Sequence, residues 1–108
     1  MALRHARPGE VVDLRPLGTE FGKAQTEALT RTEHFEAIRL VLPADREIPS
    51  HHVNGSIMLH CLEGNVSLGL DRGISELKAG DWLYLEPGQS HSVKAHENSS
   101  LLLIILLS

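Results

Sequence analysis

Apolar positions recur along this chain in short bursts separated by turn residues. Val66, Leu68 and Leu70 alternate with Ser67, Gly69 and Asp71, the two-residue period of a strand with one buried face. Upstream, residues 57–62 form an apolar run in which only His60 is strongly polar, and this reads as a second strand. The connection Glu63-Gly64-Asn65 is short enough to join the two as an antiparallel hairpin. Residues 35–42 stop at Pro43, and the β-favouring residues toward Val41 predict a strand there too. Further short strands are expected at 47–51, 74–77, 82–85 and 92–95, with a loop at 96–100. The final run, 101–107, is apolar at every position and predicts a strand buried on both faces. Turn signals return about every eight to twelve residues with no convincing helix, so the expected fold is an all-β sandwich or small barrel. Pro8, Gly9, Pro16, Gly18 and Gly22 interrupt the first 24 residues. These are expected to be an N-terminal arm or edge strand, lying on the core or docked on a partner subunit, with the barrel over 25–108.

Composition narrows the picture. At 108 residues the chain makes one domain, and with aromatics at 4% the interior must be filled by Leu, Val and Ile. The net charge is −4 and the charges are scattered singly. That pattern offers no clustered basic face to nucleic acid and no attraction to an anionic membrane. Cys61 is the sole cysteine, so an intramolecular disulfide is excluded, and its apolar strand predicts a buried, inert thiol. The first residues lack the apolar stretch of a secretory signal, and the terminal apolar run is far shorter than a membrane helix. A reducing, cytoplasmic location is the expectation.

Candidate chemistry gathers in the histidines. Pro49-Ser50-His51-His52-Val53-Asn54-Gly55 precedes the strand that carries His60, and Pro87-Gly88-Gln89-Ser90-His91 follows some thirty residues later. The second of these resembles a motif of the cupin family. Gly80, five residues, Glu86 at a position usually held by proline, Pro87, Gly88, two residues and His91 stand in its spacing, with Ala95 where the family has asparagine. In the first motif, counted back from Gly64, Ile57 stands where the family has its glutamate. Either His51 or His52 falls on a histidine position, depending on the spacing adopted. Leu62-Glu63-Gly64 and Leu77-Lys78-Ala79-Gly80-Asp81 are also similar to a group of small cupins in which a Gln or His occupies the place of His60. The resemblance covers about residues 40–107. It implies a single-domain cupin jelly-roll β-barrel, a double-stranded β-helix, and a divalent metal (Zn, Fe, Ni or Mn) held by histidines.

Imidazole nitrogen is a borderline-soft neutral donor suited to such ions, provided that several donors converge on one point. Side chains of adjacent residues diverge on a regular strand, so one of His51 and His52 is expected to face the site, with His51 favoured. If Glu63 faces solvent at the hairpin mouth, alternation turns Leu62, His60 and Met58 inward. Counting from the family's glutamate position turns Ile57 inward and His60 outward instead. The first alternative is favoured, with a bulge at Gly55-Ser56. The expected metal ligands are thus His51, His60 and His91, with His52 in reserve. Met58, Leu62, Trp82, Tyr84 and Leu103 are expected around the pocket. No serine or cysteine is paired with a base in a recognisable way. Two functions remain open: a metal-dependent enzyme of dioxygenase or isomerase type acting on a small organic molecule, and a non-catalytic module that binds or senses a small-molecule ligand. A homodimer is expected because a lone jelly roll leaves strand edges to cover.

Overall fold

Nine strands form within residues 5–107, which the computed structural model describes. They are β1 (Glu27–Arg31), β2 (Phe35–Leu42), β3 (Glu47–His51), β4 (Ile57–Glu63), β5 (Asn65–Leu70), β6 (Gly73–Lys78), β7 (Trp82–Leu85), β8 (His91–Ala95) and β9 (Ser99–Leu106). A five-stranded sheet runs β1-β2-β9-β4-β7 and a four-stranded sheet runs β3-β8-β5-β6, with every pairing antiparallel. This is the all-β architecture that the spacing of turns predicted, in the jelly-roll form that the cupin resemblance implied. Leu59, Cys61 and Leu101 from the larger sheet meet Val66, Leu68 and Val93 from the smaller in one core. Complete burial of a leucine such as Leu59, Leu68 or Leu101 contributes about 1.5–3 kcal/mol each. Cys61 has no exposed surface, and burial pushes its thiol above the ordinary range, as expected of an inert side chain.

Three strand expectations are corrected. The last strand starts at Ser99 rather than Leu101, because Ser99 Oγ accepts the Asn65 N–H and ties these residues to the turn between β4 and β5. Its two faces also differ. Leu101 is wholly buried and points to the core, whereas Leu102 and Ile104 are half-buried and Leu106 is 39% exposed on the outside. The bulge, finally, lies at Leu62 rather than Gly55-Ser56, since Cys61 pairs with Leu101 and Glu63 with the next residue, Ser100.

That bulge turns Glu63 onto the outer face of the sheet, where it is covered rather than solvated. Its carboxylate accepts the Ser100 hydroxyl at 2.6 Å and the backbone N–H groups of Leu17 (2.8 Å) and Gly18 (3.3 Å), while Arg39 Nη2 lies 3.6 Å away. Residues 15–18 of the arm are thereby pinned across the end of the sheet, and Arg39 Nη2 also donates to Arg15 O at 2.7 Å. Nearer the start, the Ala6 N–H donates to Leu29 O at 2.7 Å, so the arm follows β1. No strand forms in residues 5–24, but a 3₁₀ turn, Gly18–Lys23, buries Phe21. No helix among the described residues is long and apolar enough to cross a membrane.

The expected antiparallel hairpin of β4 and β5 does not form: the turn between them crosses from the larger sheet to the smaller, where β5 pairs with β6 and β8, and this crossing depends on Gly64. Its φ is +90°, and a Cβ there would clash with Ser99 Oγ and approach Asn98 O to 2.5 Å. Gly64→Ala is expected to cost about 2 kcal/mol, read as a shift of the urea midpoint at unchanged slope. A shift below about 0.5 kcal/mol would contradict this placement.

Candidate functional site

Two strands of the smaller sheet bring His51 and His91 together. His51 ends β3 and His91 opens β8; the two are Cα partners in the antiparallel register, and their ring centroids lie 4.4 Å apart at 53°. His91 is 4% exposed, and His51 stands at the open end. Each ring is held by a carbonyl two residues back: Nδ1 of His51 lies 3.0 Å from Pro49 O, and Nδ1 of His91 lies 3.1 Å from Gln89 O. A carbonyl only accepts, so both Nδ1 atoms carry a proton, and in the neutral ring it is Nε2 that keeps the lone pair. The turn residues before each histidine thus fix its tautomer as well as its position.

The two rings line a cavity of about 100 Å³ whose other walls are Leu40, Ile48, Ile57, Leu59, Val93 and Leu103. Burial pushes His91 below the ordinary imidazole range and the neighbouring His51 adds to that, against the Gln89 carbonyl, which favours the charged ring. At neutral pH the cavity therefore presents a neutral hydrogen-bond acceptor in a hydrocarbon wall. Such a site can hold a small molecule with an apolar body and one donating group.

Of the other residues anticipated here, Leu103 lines the cavity. His52 lies one residue beyond β3 and is exposed. His60 sits on the outer face of the larger sheet, opposite Trp82 and Leu102, because Ile57, Leu59 and Cys61 take the inward positions of β4. The same alternation carries Met58 outward beside Tyr84 and Ile104, and Leu62 is the extra residue of the bulge. Trp82 and Tyr84 are 56% and 60% exposed. Glu63 does face outward, but the extra residue Leu62 between it and Cys61 inverts the parity counted back from it. The inward-facing Ile57 and Leu59, with Val93 two residues after His91, were the readable signal for the true walls.

Cupins often bind metals, so the donor set is worth testing. His51 and His91 supply two nitrogens, Ile57 supplies hydrocarbon where a carboxylate would serve, and His60 faces the other way. Among the described residues no group of three or more His, Cys, Asp or Glu side chains converges. Two imidazoles in an apolar wall do not fit a resident divalent ion, which takes three protein ligands in an open site. Elsewhere, His96 Nε2 and Ser67 Oγ are hydrogen-bonded on the outer face of the smaller sheet, a pair that sequence reasoning missed. Among the described residues no acid orients that ring.

Comparison with known proteins follows the same lines. In fold the chain is similar to a cupin superfamily protein from Desulfitobacterium hafniense, with a TM-score of 0.78 at 16% identity over 95% of this chain and 100% of that one. A conserved protein of unknown function from Streptococcus pyogenes also gives 0.78, at 20% identity over 100% and 98%. KdgF from a Halomonas species gives 0.70 at 15% identity over 77% of each chain. No curated protein matches. The model of the AraC-like ligand-binding domain matches residues 34–106, from the start of β2 to the end of β9 and so across every residue of the cavity. With more than half its length in that match, this cupin-fold chain belongs to the AraC-like ligand-binding domain family.

Proposed function

We propose that this protein is a non-catalytic small-molecule-binding module, its ligand seated in the barrel cavity against His51 and His91. The observation that carries the reading is the cavity wall itself, two oriented imidazoles among six aliphatic side chains. A donor such as a phenolic or alcoholic O–H satisfies an Nε2 lone pair, while the hydrocarbon body of the ligand replaces water on the leucines and isoleucines. A second reading rests on the adjacency of the two rings: a divalent metal, with substrate supplying the ligands that the chain lacks, and an enzymatic role. One preparation distinguishes the two.

Protein purified without a chelating tag is expected to hold less than about 0.1 equivalent of Zn, Fe, Ni or Mn and to gain none on addition. A panel of small phenols and short branched alcohols should perturb the NMR signals of His91, Val93 and Leu103. His91→Ala should weaken any such fragment by about tenfold, the value of one lost hydrogen bond. Near one equivalent of metal, lost in His91→Ala, would replace this reading with the second. Fragments that bind with unchanged affinity to the variant would sink the site as drawn.

A further inference from the structure

We propose that the groove between the arm and the β1-β2 pair binds a free α-amino acid as its zwitterion, at a site separate from the barrel cavity. Glu27 and Arg39 are Cα partners in the register of β1 with β2, where opposite charges ordinarily meet. Here they do not pair. Nη2 of Arg39 is drawn instead into the latch that holds the arm, with Arg15 O at 2.7 Å, Ser100 Oγ at 3.3 Å and Glu63 at 3.6 Å. Two polar groups are stranded as a result. The Nε–H of Arg39, a residue only 6% exposed, has no hydrogen-bond partner, and the half-buried Glu27 carboxylate makes no hydrogen bond or ion pair among the described residues. A buried N–H without an acceptor is costly, and its presence calls for one. Both residues line one cavity of about 260 Å³, with Lys23 and Gln25 from the arm side and Leu17 and Val41 as hydrocarbon walls.

Charge chooses the ligand. The Arg39 cation is already balanced by Glu63, and the groove itself adds one further cation, Lys23, and one anion, Glu27. A ligand with a net charge of either sign would leave an ion uncompensated there, whereas a zwitterion adds none. Its carboxylate accepts from the Arg39 Nε–H and from Lys23, whose solvent-exposed pairing with Glu20 at 3.6 Å is weak enough to yield. Its ammonium donates to Glu27. An α-amino acid carries both groups on one carbon, which matches a carboxylate and a guanidinium standing opposite each other on neighbouring strands. A small aliphatic side chain then lies against Leu17 and Val41.

The Nε–H of a buried arginine gives its own NMR cross-peak, which makes Arg39 the reporter. L-Valine added to the full chain should shift that signal and saturate the shift by about 10 mM, a fair affinity for so small a ligand. The signals of His91 and Val93 in the barrel cavity should stay in place. Isovalerate lacks the ammonium and isobutylamine lacks the carboxylate, and each should bind at least about tenfold more weakly than L-valine. Glu27→Gln should weaken L-valine at least about tenfold, and Lys23→Gln, at an exposed side chain, about threefold. An Arg39 Nε–H signal that does not move, isovalerate binding as tightly as L-valine, or unchanged affinity in Glu27→Gln would each overturn the assignment. So would L-valine that shifts His91 and Val93 instead.

Discussion

Glu63→Ala is expected to lower the melting temperature by more than about 10 °C, the largest loss of stability from any single side chain outside the aliphatic core. Truncation removes acceptors for Ser100 Oγ and for the N–H groups of Leu17 and Gly18, and it strips the counter-charge from Arg39, whose side chain is 8% exposed. Breaking a buried pair by deleting one partner costs about 3–5 kcal/mol, because the other charge stays buried. On a domain whose whole stability is about 5–15 kcal/mol, that is a large share. Arg39→Met in the same background should recover part of the loss, since it removes the stranded cation and keeps the packing.

The pH dependence has the same origin. Burial pushes the Glu63 carboxyl up, but the hydrogen bonds from Leu17, Ser100 and Gly18 and the charge of Arg39 outweigh it and hold the group below its ordinary value of 4.5. A carboxylate lowered on folding stabilises fully above its unfolded pKa, and that stability drains away as pH falls through the folded one. Wild type should therefore lose stability below about pH 4.5, and Glu63→Ala should show a shallower fall. Parallel curves for the two proteins would contradict the latch.

What the sequence disclosed and what it hid divide along physical lines. The alternation at Val66, Leu68 and Leu70 identifies β5, because period is local, whereas the short Glu63-Gly64-Asn65 connection misled: it carries the chain from one sheet to the other, and β5 pairs with β6 and β8 instead of β4. The partnership of His51 with His91 was legible through two turn-bounded motifs, each ending in a histidine at a strand terminus. The facing of β4 was not, since a bulge shifts parity without changing composition, and this one falls at Leu62 where no glycine marks it. Arg39 carried the missing hint. A charged residue inside the apolar run 35–42 needs a buried partner, and the nearest acid that a bulge brings into reach is Glu63. The arm covers this end of the sheet because Arg39 and Glu63 are there to hold it.

Ile57→Glu is expected to convert the cavity into a metal site. Ile57 is 3% exposed and shares the cavity with His51 and His91, whose Nδ1–H groups are already oriented by carbonyls. One carboxylate oxygen added to two Nε2 atoms makes the two-histidine, one-carboxylate set that binds first-row divalent ions. Bound Zn, Fe, Ni or Mn should rise from under about 0.1 equivalent in wild type to about one in the variant. Without metal the variant should be several kcal/mol less stable, because a lone carboxyl replaces a core side chain. Metal at about 100 times its dissociation constant should restore about 2.7 kcal/mol, and a chelator should abolish the gain. Ile57→Gln, of similar shape and without the charge, separates coordination from packing and should stay metal-free. If Ile57→Glu takes up no ion, the two imidazoles do not converge as the cavity requires. If wild type already takes up a full equivalent, the hydrocarbon at this position is not what keeps metal out.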